Sequence, residues 1–350
     1  MNRQLYDFEK YEPYEEEFNP LHTDRQARRK RKPRVNPKMA QAVQAVDVAE
    51  TIGLEGGFEI SYTPSKHEAG WLLESLRDFY NQELISDVVA LVKGGKEASI
   101  YRCTAHPATG ETWLAAKVYR PRMFRNLRND HAYRQGRVTL GDNGRAIDPK
   151  DTRLQKAIGQ KTTLGEQISH TSWLMYEYTT LELLYAEGAA VPKPIAASSN
   201  AILMQFVGDE YGAAPALNEI DPEPDEAQAL FDETMRNIEL MLANGRVHGD
   251  LSAYNILYWD GDITLIDFPQ VVNSHVTRDT HVWGSAVNPE AYAILQRDVT
   301  RICDYFQRYG IRHNPVTLSR ALWRRYTDND PMKRKADESR WEGRDLEIGD

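Results

Sequence analysis

Three observations predict a two-lobed α+β fold, an N-terminal lobe of antiparallel sheet plus helix followed by a reduced helical lobe. Short β-branched and apolar runs separated by glycine-bearing turns read as strands. A helix-period stretch, residues 171–187, interrupts them. Past Asp267 only one further helix-period segment, 290–309, precedes a charged end, so little chain remains for a large second lobe.

Composition is compatible with this architecture. A chain of 350 residues accommodates one sizeable core plus tails. The formal net charge of -9 argues against wholesale nucleic-acid affinity but allows local basic patches. Two cysteines, Cys103 and Cys303, have neither ligand nor redox spacing, so a reducing cytoplasmic setting is expected and a disulfide framework is not. No apolar run approaches the ~20 residues needed to span a bilayer, and the start of the chain does not read as a signal peptide.

Taken in order, residues 1–51 read as a disordered arm. Its acidic, aromatic beginning (Glu9, Glu12, Glu15, Glu16, Glu17 with Tyr6, Tyr11, Tyr14) gives way to a basic block at 25–34. That block either binds RNA phosphates or is simply solvated. Residues 52–86 form a helical extension, with a helix over 66–83 whose stripe is Trp71, Leu72, Leu76 and Phe79; it docks on the following domain or stands as a short extension. Strands are expected at 88–92 and 99–103, joined by a turn through Gly94, Gly95 and Lys96. Glycines there let backbone N–H groups approach a phosphate closely. The turn matches neither G-x-G-x-x-G nor the Walker pattern.

The strand 113–119 carries one lysine, Lys117, between Ala116 and Val118. Residues 120–169 are an insertion, read either as a flexible loop or as a basic binding loop carrying Arg122, Arg125, Arg128, Arg134 and Arg137. The helix at 171–187 places Leu174, Tyr178 and Leu181 on one face, with Glu177 at its edge, positioned to reach Lys117; Gly188 is its C-cap. An apolar strand then runs from Ala201 through Gln205 and Val207 into Gly208.

The most informative segment is Val247-His248-Gly249-Asp250-Leu251-Ser252-Ala253-Tyr254-Asn255-Ile256-Leu257, followed by Leu265-Ile266-Asp267-Phe268. An aspartate, an asparagine five residues on and a second aspartate after a short strand are the parts phosphoryl transfer from ATP requires. The first orients or deprotonates the acceptor; the other two hold Mg²⁺ against the phosphates.

This order of parts resembles the RIO atypical protein kinases over residues 87–310. The specific marks are Gly95-Lys96-Glu97-Ala98-Ser99-Ile100-Tyr101, the insertion around Phe124 to Asp130, the helix start from Trp173 to Glu177, and Ile266-Asp267-Phe268-Pro269-Gln270 in place of D-F-G. Lys93-Gly94 stands where the family usually has Ser-Thr, and Ser99 replaces a usual Asn. The resemblance implies a kinase domain at 87–313, its lobes meeting near residue 204, with a charged tail at 314–350. It implies ATP and Mg²⁺ as cofactors. Gly95, Lys96, Ser99, Lys117, Glu177, and the backbone of Gln205 and Val207 would bind ATP. Asp250 and Asp267 would be catalytic, Asn255 and Asp267 metal ligands, and Asp267 a possible phosphate carrier. Gly249 replaces the arginine of H-R-D and no A-P-E follows, so switching by activation-loop phosphorylation is not expected.

Three functions remain open on this reading. One is a RIO-type serine/threonine kinase or ATPase acting on a protein, or in ribosomal or other RNA–protein assembly. A second is a small-molecule phosphotransferase of the aminoglycoside or choline kinase type, which shares H-G-D-x-x-x-x-N. A third is a nucleotide-gated scaffold.

Overall fold

The computed structural model describes residues 58, 60–95, 97–119, 139–148, 151–160, 162–276 and 286–327. The acidic and basic arm, Lys96, the arginines of 120–138 and residues 328–350 lie outside the described residues.

Helix α1 (Lys66–Asn81) begins where Ser65 and Glu68 reciprocate: the Glu68 carboxylate accepts the Ser65 N–H at 3.2 Å. Leu72, Leu76 and Phe79 recur at helical spacing and are fully buried, while Trp71 is half-buried beside them. The sheet they cover comprises β1 (Ile85–Gly94), β2 (Ala98–Ala105), β3 (Trp113–Tyr119), β4 (Pro194–Ala197) and β5 (Ala201–Gln205), antiparallel throughout in the order β1-β2-β3-β5-β4. Helix α1, two residues shorter than the expected 66–83, is therefore docked on the sheet. Glu68 secures it there, also accepting hydrogen bonds from the Tyr101 and Tyr62 hydroxyls.

Strand period decides which side chains face α1. Leu114, Ala116 and Val118 of β3 pack beneath it with Tyr101, Cys103, Ala201 and Leu203. Their alternates Ala115 and Tyr119, with Ile202 and Met204 of β5, join the larger core on the opposite face. Lys117 belongs to this second set by parity. The face is covered by α3 (Thr163–Ala186), preceded by the short α2 (Thr152–Gly159). Sequence periodicity places the start of α3 near residue 171; the Thr162 hydroxyl instead caps it earlier, accepting the Gly165 N–H at 3.2 Å. Part of the expected loop at 120–169 is thus helical.

The second lobe is built on α4 (Pro224–Ala243), α5 (Pro289–Phe306) and α6 (Pro315–Thr327). Between α4 and α5 run the two-residue strands β6 (Arg246–Val247) and β9 (Val272–Asn273), which pair with one another, and the hairpin β7 (Ile256–Trp259) to β8 (Asp262–Leu265). The expectation that the chain leaves the core after Tyr309 and becomes a tail at 314 fails. The Asn314 side chain accepts the N–H groups of Val316 and Thr317 at 3.0 and 3.2 Å, starting α6. Leu318, Leu322 and Tyr326 then recur every four residues on a buried face, while Arg320 and Arg324 face solvent. Charge on the outer face masks that stripe when only composition is read. Among the described residues no helix is long and apolar enough to cross a membrane.

Helix α6 is therefore part of the folding unit. Leu322→Ala should lower unfolding free energy by roughly 2–4 kcal/mol, measured by urea denaturation; an unchanged midpoint would show that this helix is not docked in solution.

Candidate active site

Lys117 lies at the centre of the site. Its Nζ donates to Glu177 Oε1 at 2.6 Å and to Asp267 Oδ1 at 2.6 Å. Lys117 and Glu177 are almost wholly buried, 7% and 1% exposed, whereas the Asp267 side chain is 43% exposed toward the cleft. Burial alone would push the Lys117 ammonium down; the carboxylates of Asp267 and Glu177 outweigh it and hold it above the ordinary lysine range. Burial acts to raise Asp267, but Lys117, then His248 and Lys93, hold its carboxyl below the ordinary value. Lys93, which replaces a small hydroxyl residue of the family pattern, thus brings a second lysine charge to bear on Asp267.

Tyr119 was not singled out from sequence. Its hydroxyl donates to the other Glu177 oxygen, Oε2. The signal for it was present, since residues 117 and 119 of one strand share a face. The Tyr119 ring stands edge-on to Trp173 of α3 at 4.8 Å, which positions the strand and helix around Glu177.

Asp267 itself is held at φ +72, a left-handed conformation uncommon for a residue with a side chain. The preceding residue is tied down from two sides. The Ile266 N–H donates to the Asn255 carbonyl at 3.0 Å, and the Ile266 carbonyl lies 3.1 Å from His248 Nε2. Asn255 in turn donates from Nδ2 to the Asp250 carbonyl at 2.8 Å. This leaves the Asn255 amide oxygen and the Asp267 carboxylate as oxygen donors on adjoining segments, a hard-ligand set suited to Mg²⁺ completed by phosphate and water oxygens.

Asp250 is positioned by α5, which sequence reading did not connect to it. The Gly249 N–H donates to Asp298 Oδ2 at 2.8 Å, Arg297 donates to the Gly249 carbonyl, and Arg301 Nη1 donates to Asp250 Oδ1 at 2.7 Å. Burial pushes the Asp298 carboxyl up, while Arg297, His248 and the Gly249 N–H pull it down; the net direction is upward. Gly249 explains the missing arginine of H-R-D. Its φ is +87, and a Cβ there would lie 2.1 Å from the Gln270 carbonyl oxygen.

The remaining expected residues fall differently. Gly95 closes the β1–β2 turn, its N–H donating to the Ala98 carbonyl at 2.9 Å, and a Cβ would meet that oxygen at 2.6 Å. Lys96 lies outside the described residues. Ser99 is the expected ATP-binding side chain that the structure does not bring to the cleft. It is 3% exposed and alternates with Tyr101 and Cys103 onto the α1 face, its hydroxyl in hydrogen-bond contact with Tyr101. At the end of β5, the Gln205 N–H donates to the Lys193 carbonyl at 2.8 Å and the Val207 carbonyl accepts the Ala214 N–H at 2.9 Å. Arg102 of β2, also unanticipated, stacks over Trp113 and pins the following loop by donating to the Asp209 and Glu210 carbonyls at 3.0 and 2.9 Å.

Fold and site together define a two-lobed, protein-kinase-like protein. The fold is similar to that of the Rio2 kinase of Chaetomium thermophilum, solved as an ADP/Mg²⁺-phosphoaspartate complex (TM-score 0.50, 20% identity, covering 83% of this chain and 78% of that one). Residues 145–318 match the RIO domain. The chain is 29% identical over 222 residues to the RIO-type serine/threonine-protein kinase Rio1 of Haloferax volcanii, covering 63% of each chain. It is 30% identical over 143 residues to Rio1 of Thermoplasma acidophilum, covering 41% of this chain and 68% of that protein. The chain belongs to the RIO family. Its match thus spans somewhat under two thirds of the Haloferax protein's length.

The loop at 248–255 depends on an unsubstituted residue 249. Gly249→Ala should destabilise the protein by about 2 kcal/mol or more through backbone strain and the clash with Gln270, read as a lowered denaturation midpoint. A variant as stable as the parent would show that the loop relaxes freely.

Proposed function

We propose that the chain is a Mg²⁺-dependent phosphotransferase that uses ATP, a RIO-type serine/threonine kinase or ATPase. The observation that carries this is Lys117 held at 2.6 Å from both Glu177 and Asp267, with Asp250 and Asn255 on the adjoining loop. The relatives named as serine/threonine-protein kinases support the same reading.

In this proposal the Gly95 turn covers the triphosphate. Glu177 and Asp267 engage two of the three Lys117 N–H donors, and the third meets a phosphate oxygen. The Gln205 carbonyl and the Val207 N–H take the adenine edge, because the Gln205 N–H and the Val207 carbonyl are already engaged with Lys193 and Ala214. Asn255 and Asp267 hold Mg²⁺, which when bound neutralises charge on the phosphates. Asp250 orients the acceptor and takes its proton. The acceptor oxygen forms a bond to the γ-phosphorus as the bond to the β,γ-bridging oxygen breaks, and ADP leaves.

The acceptor is a protein hydroxyl, water or Asp267 itself. A carboxylate can take a phosphoryl group, and the Chaetomium Rio2 kinase was solved with a phosphoaspartate. A part in RNA–protein or ribosomal assembly rests only on family likeness and on the basic block at 25–34. A cytoplasmic setting is proposed on the buried free thiols of Cys103 and Cys303.

Lys117→Ala should weaken ATP binding measured by calorimetry; absence of binding to the parent protein would remove the basis of the proposal. Asp250→Ala should leave ATP binding intact while lowering phosphoryl transfer about 10²–10⁴-fold, with parent-like turnover marking Asp250 as structural. For Asp267, label from γ-labelled ATP should be released by hydroxylamine and be lost in Asp267→Asn. Hydroxylamine-stable label that persists in that variant would eliminate the covalent role and leave the metal role standing.

A further inference from the structure

Arg301 of α5 has no part in the chemistry above, yet it holds the group that meets the acceptor. Its Nη1 donates to Asp250 Oδ1 at 2.7 Å. The two side chains are 28% and 37% exposed, so the pair borders the cleft and is not locked in the core. The other Asp250 oxygen is turned toward Asn255 Nδ2 at 3.5 Å. An incoming hydroxyl therefore meets a carboxylate whose Oδ1 already accepts a guanidinium hydrogen bond. Partly exposed pairs of this kind exchange partners at little free-energy cost. A guanidinium also favours an oxyanion it can grip with two N–H groups.

Resting on the phosphotransfer reading, we infer that Arg301 recognises the acceptor's own negative charge. The acceptor is a serine or threonine in a peptide segment with a carboxylate side chain beside the hydroxyl. That carboxylate takes the Arg301 guanidinium and uncovers Asp250 Oδ1. The freed oxygen receives the hydroxyl proton as the acceptor O–P bond forms and the β,γ-bridging P–O bond breaks, its electron pair departing with ADP. Arg297, one helical turn earlier and 38% exposed, stays on the Gly249 carbonyl and holds the loop still during the exchange. Asp298 is paired with Arg297 and Asp267 with Lys117, which leaves the Arg301 guanidinium for a single added carboxylate. The same carboxylates repel a polyanion such as RNA.

The test uses the full chain with γ-labelled ATP and Mg²⁺. It compares a serine peptide with aspartates on both sides of the serine, the same peptide with asparagines, and a single-stranded RNA as competitor. The parent protein should prefer the aspartate peptide by about tenfold or more in kcat/KM, as expected for loss of a charged hydrogen bond. Arg301→Gln should bring that ratio to about one, chiefly through KM, and Arg301→Lys should retain part of it. A role confined to stability would alter both peptides equally. Fluorescence anisotropy with the aspartate peptide, its serine changed to alanine, should show about tenfold weaker binding to Arg301→Gln. Equal use of both peptides by the parent, a preference that survives Arg301→Gln, unchanged peptide binding, or displacement of the peptide by RNA at equal concentration would each overturn the assignment. ATP hydrolysis without peptide labelling would refute the Arg301 assignment and leave the phosphotransfer reading intact. Loss of hydrolysis and labelling together would end both.

Discussion

A lysine ammonium buried without partners is among the costliest groups a protein can contain. At Lys117 this cost organises the whole site. The ammonium reaches Glu177 across 60 residues of chain and Asp267 across 150, both at 2.6 Å. The buried pair therefore requires β3 and α3 to converge, and the turn after β8 adds the partly exposed Asp267 from the cleft side. Glu177 faces the same constraint and needs Tyr119 for its second oxygen. Asp267 adopts a left-handed backbone conformation whose strain is on the order of 1–3 kcal/mol; its carboxylate bond to Lys117 is what that conformation achieves. The cleft is thus a consequence of charge compensation as much as of lobe packing. Removing one partner is expected to be worse than never having had the triad, because it strands charge in a poorly solvated place.

A second constraint comes from the loop at 248–255 that carries Asp250. The strand that leads into it, β6, and that strand's partner β9 are two residues each, too short to define the loop by backbone pairing alone. Helix α5 supplies what pairing does not. Arg297, Asp298 and Arg301, within little more than one helical turn, take hold of the Gly249 carbonyl, the Gly249 N–H and the Asp250 carboxylate in turn. A helix is a rigid ruler, with fixed rise and rotation per residue, so three contacts from one face place the loop in both position and orientation. The positive φ of Gly249 lets the chain pass under Gln270 between those contacts. Helix α6 in turn supports the lobe: it shares the core with α4, and Arg325 reaches the buried Glu239 of α4 at 3.3 Å. The second lobe is small, and this last helix is a sizeable part of what makes it a folded body.

Lys117 was legible as a lone lysine in an apolar strand that follows a glycine-bearing turn, and period-two alternation from it makes Tyr119 legible in retrospect. The same rule places Ser99 with Tyr101 and Cys103 under α1, where motif resemblance had suggested a phosphate contact. The stripe of α1 and the edge position of Glu177 on α3 likewise follow from helical period. The stripe of α6 obeys the same period, but it was hidden by arginines on the outer face and by its place in a charged stretch.

By itself the sequence determined the order of the chemical groups and the face each occupies. Those follow from local backbone geometry, which repeats every two residues in a strand and every 3.6 in a helix. It also determined the family pattern, because Asp250, Asn255 and Asp267 are close in the chain and their spacing is itself the signal. The Lys117–Glu177 pair was within reach of that reading, but only the tertiary structure decided which charge meets Asp250. Arg301 and Asp250 are 51 residues apart, and no local periodicity relates a helix to a loop at that separation. The partner of each charge is settled by where packing of α5 against the loop leaves the guanidinium, and that placement is a property of the assembled core.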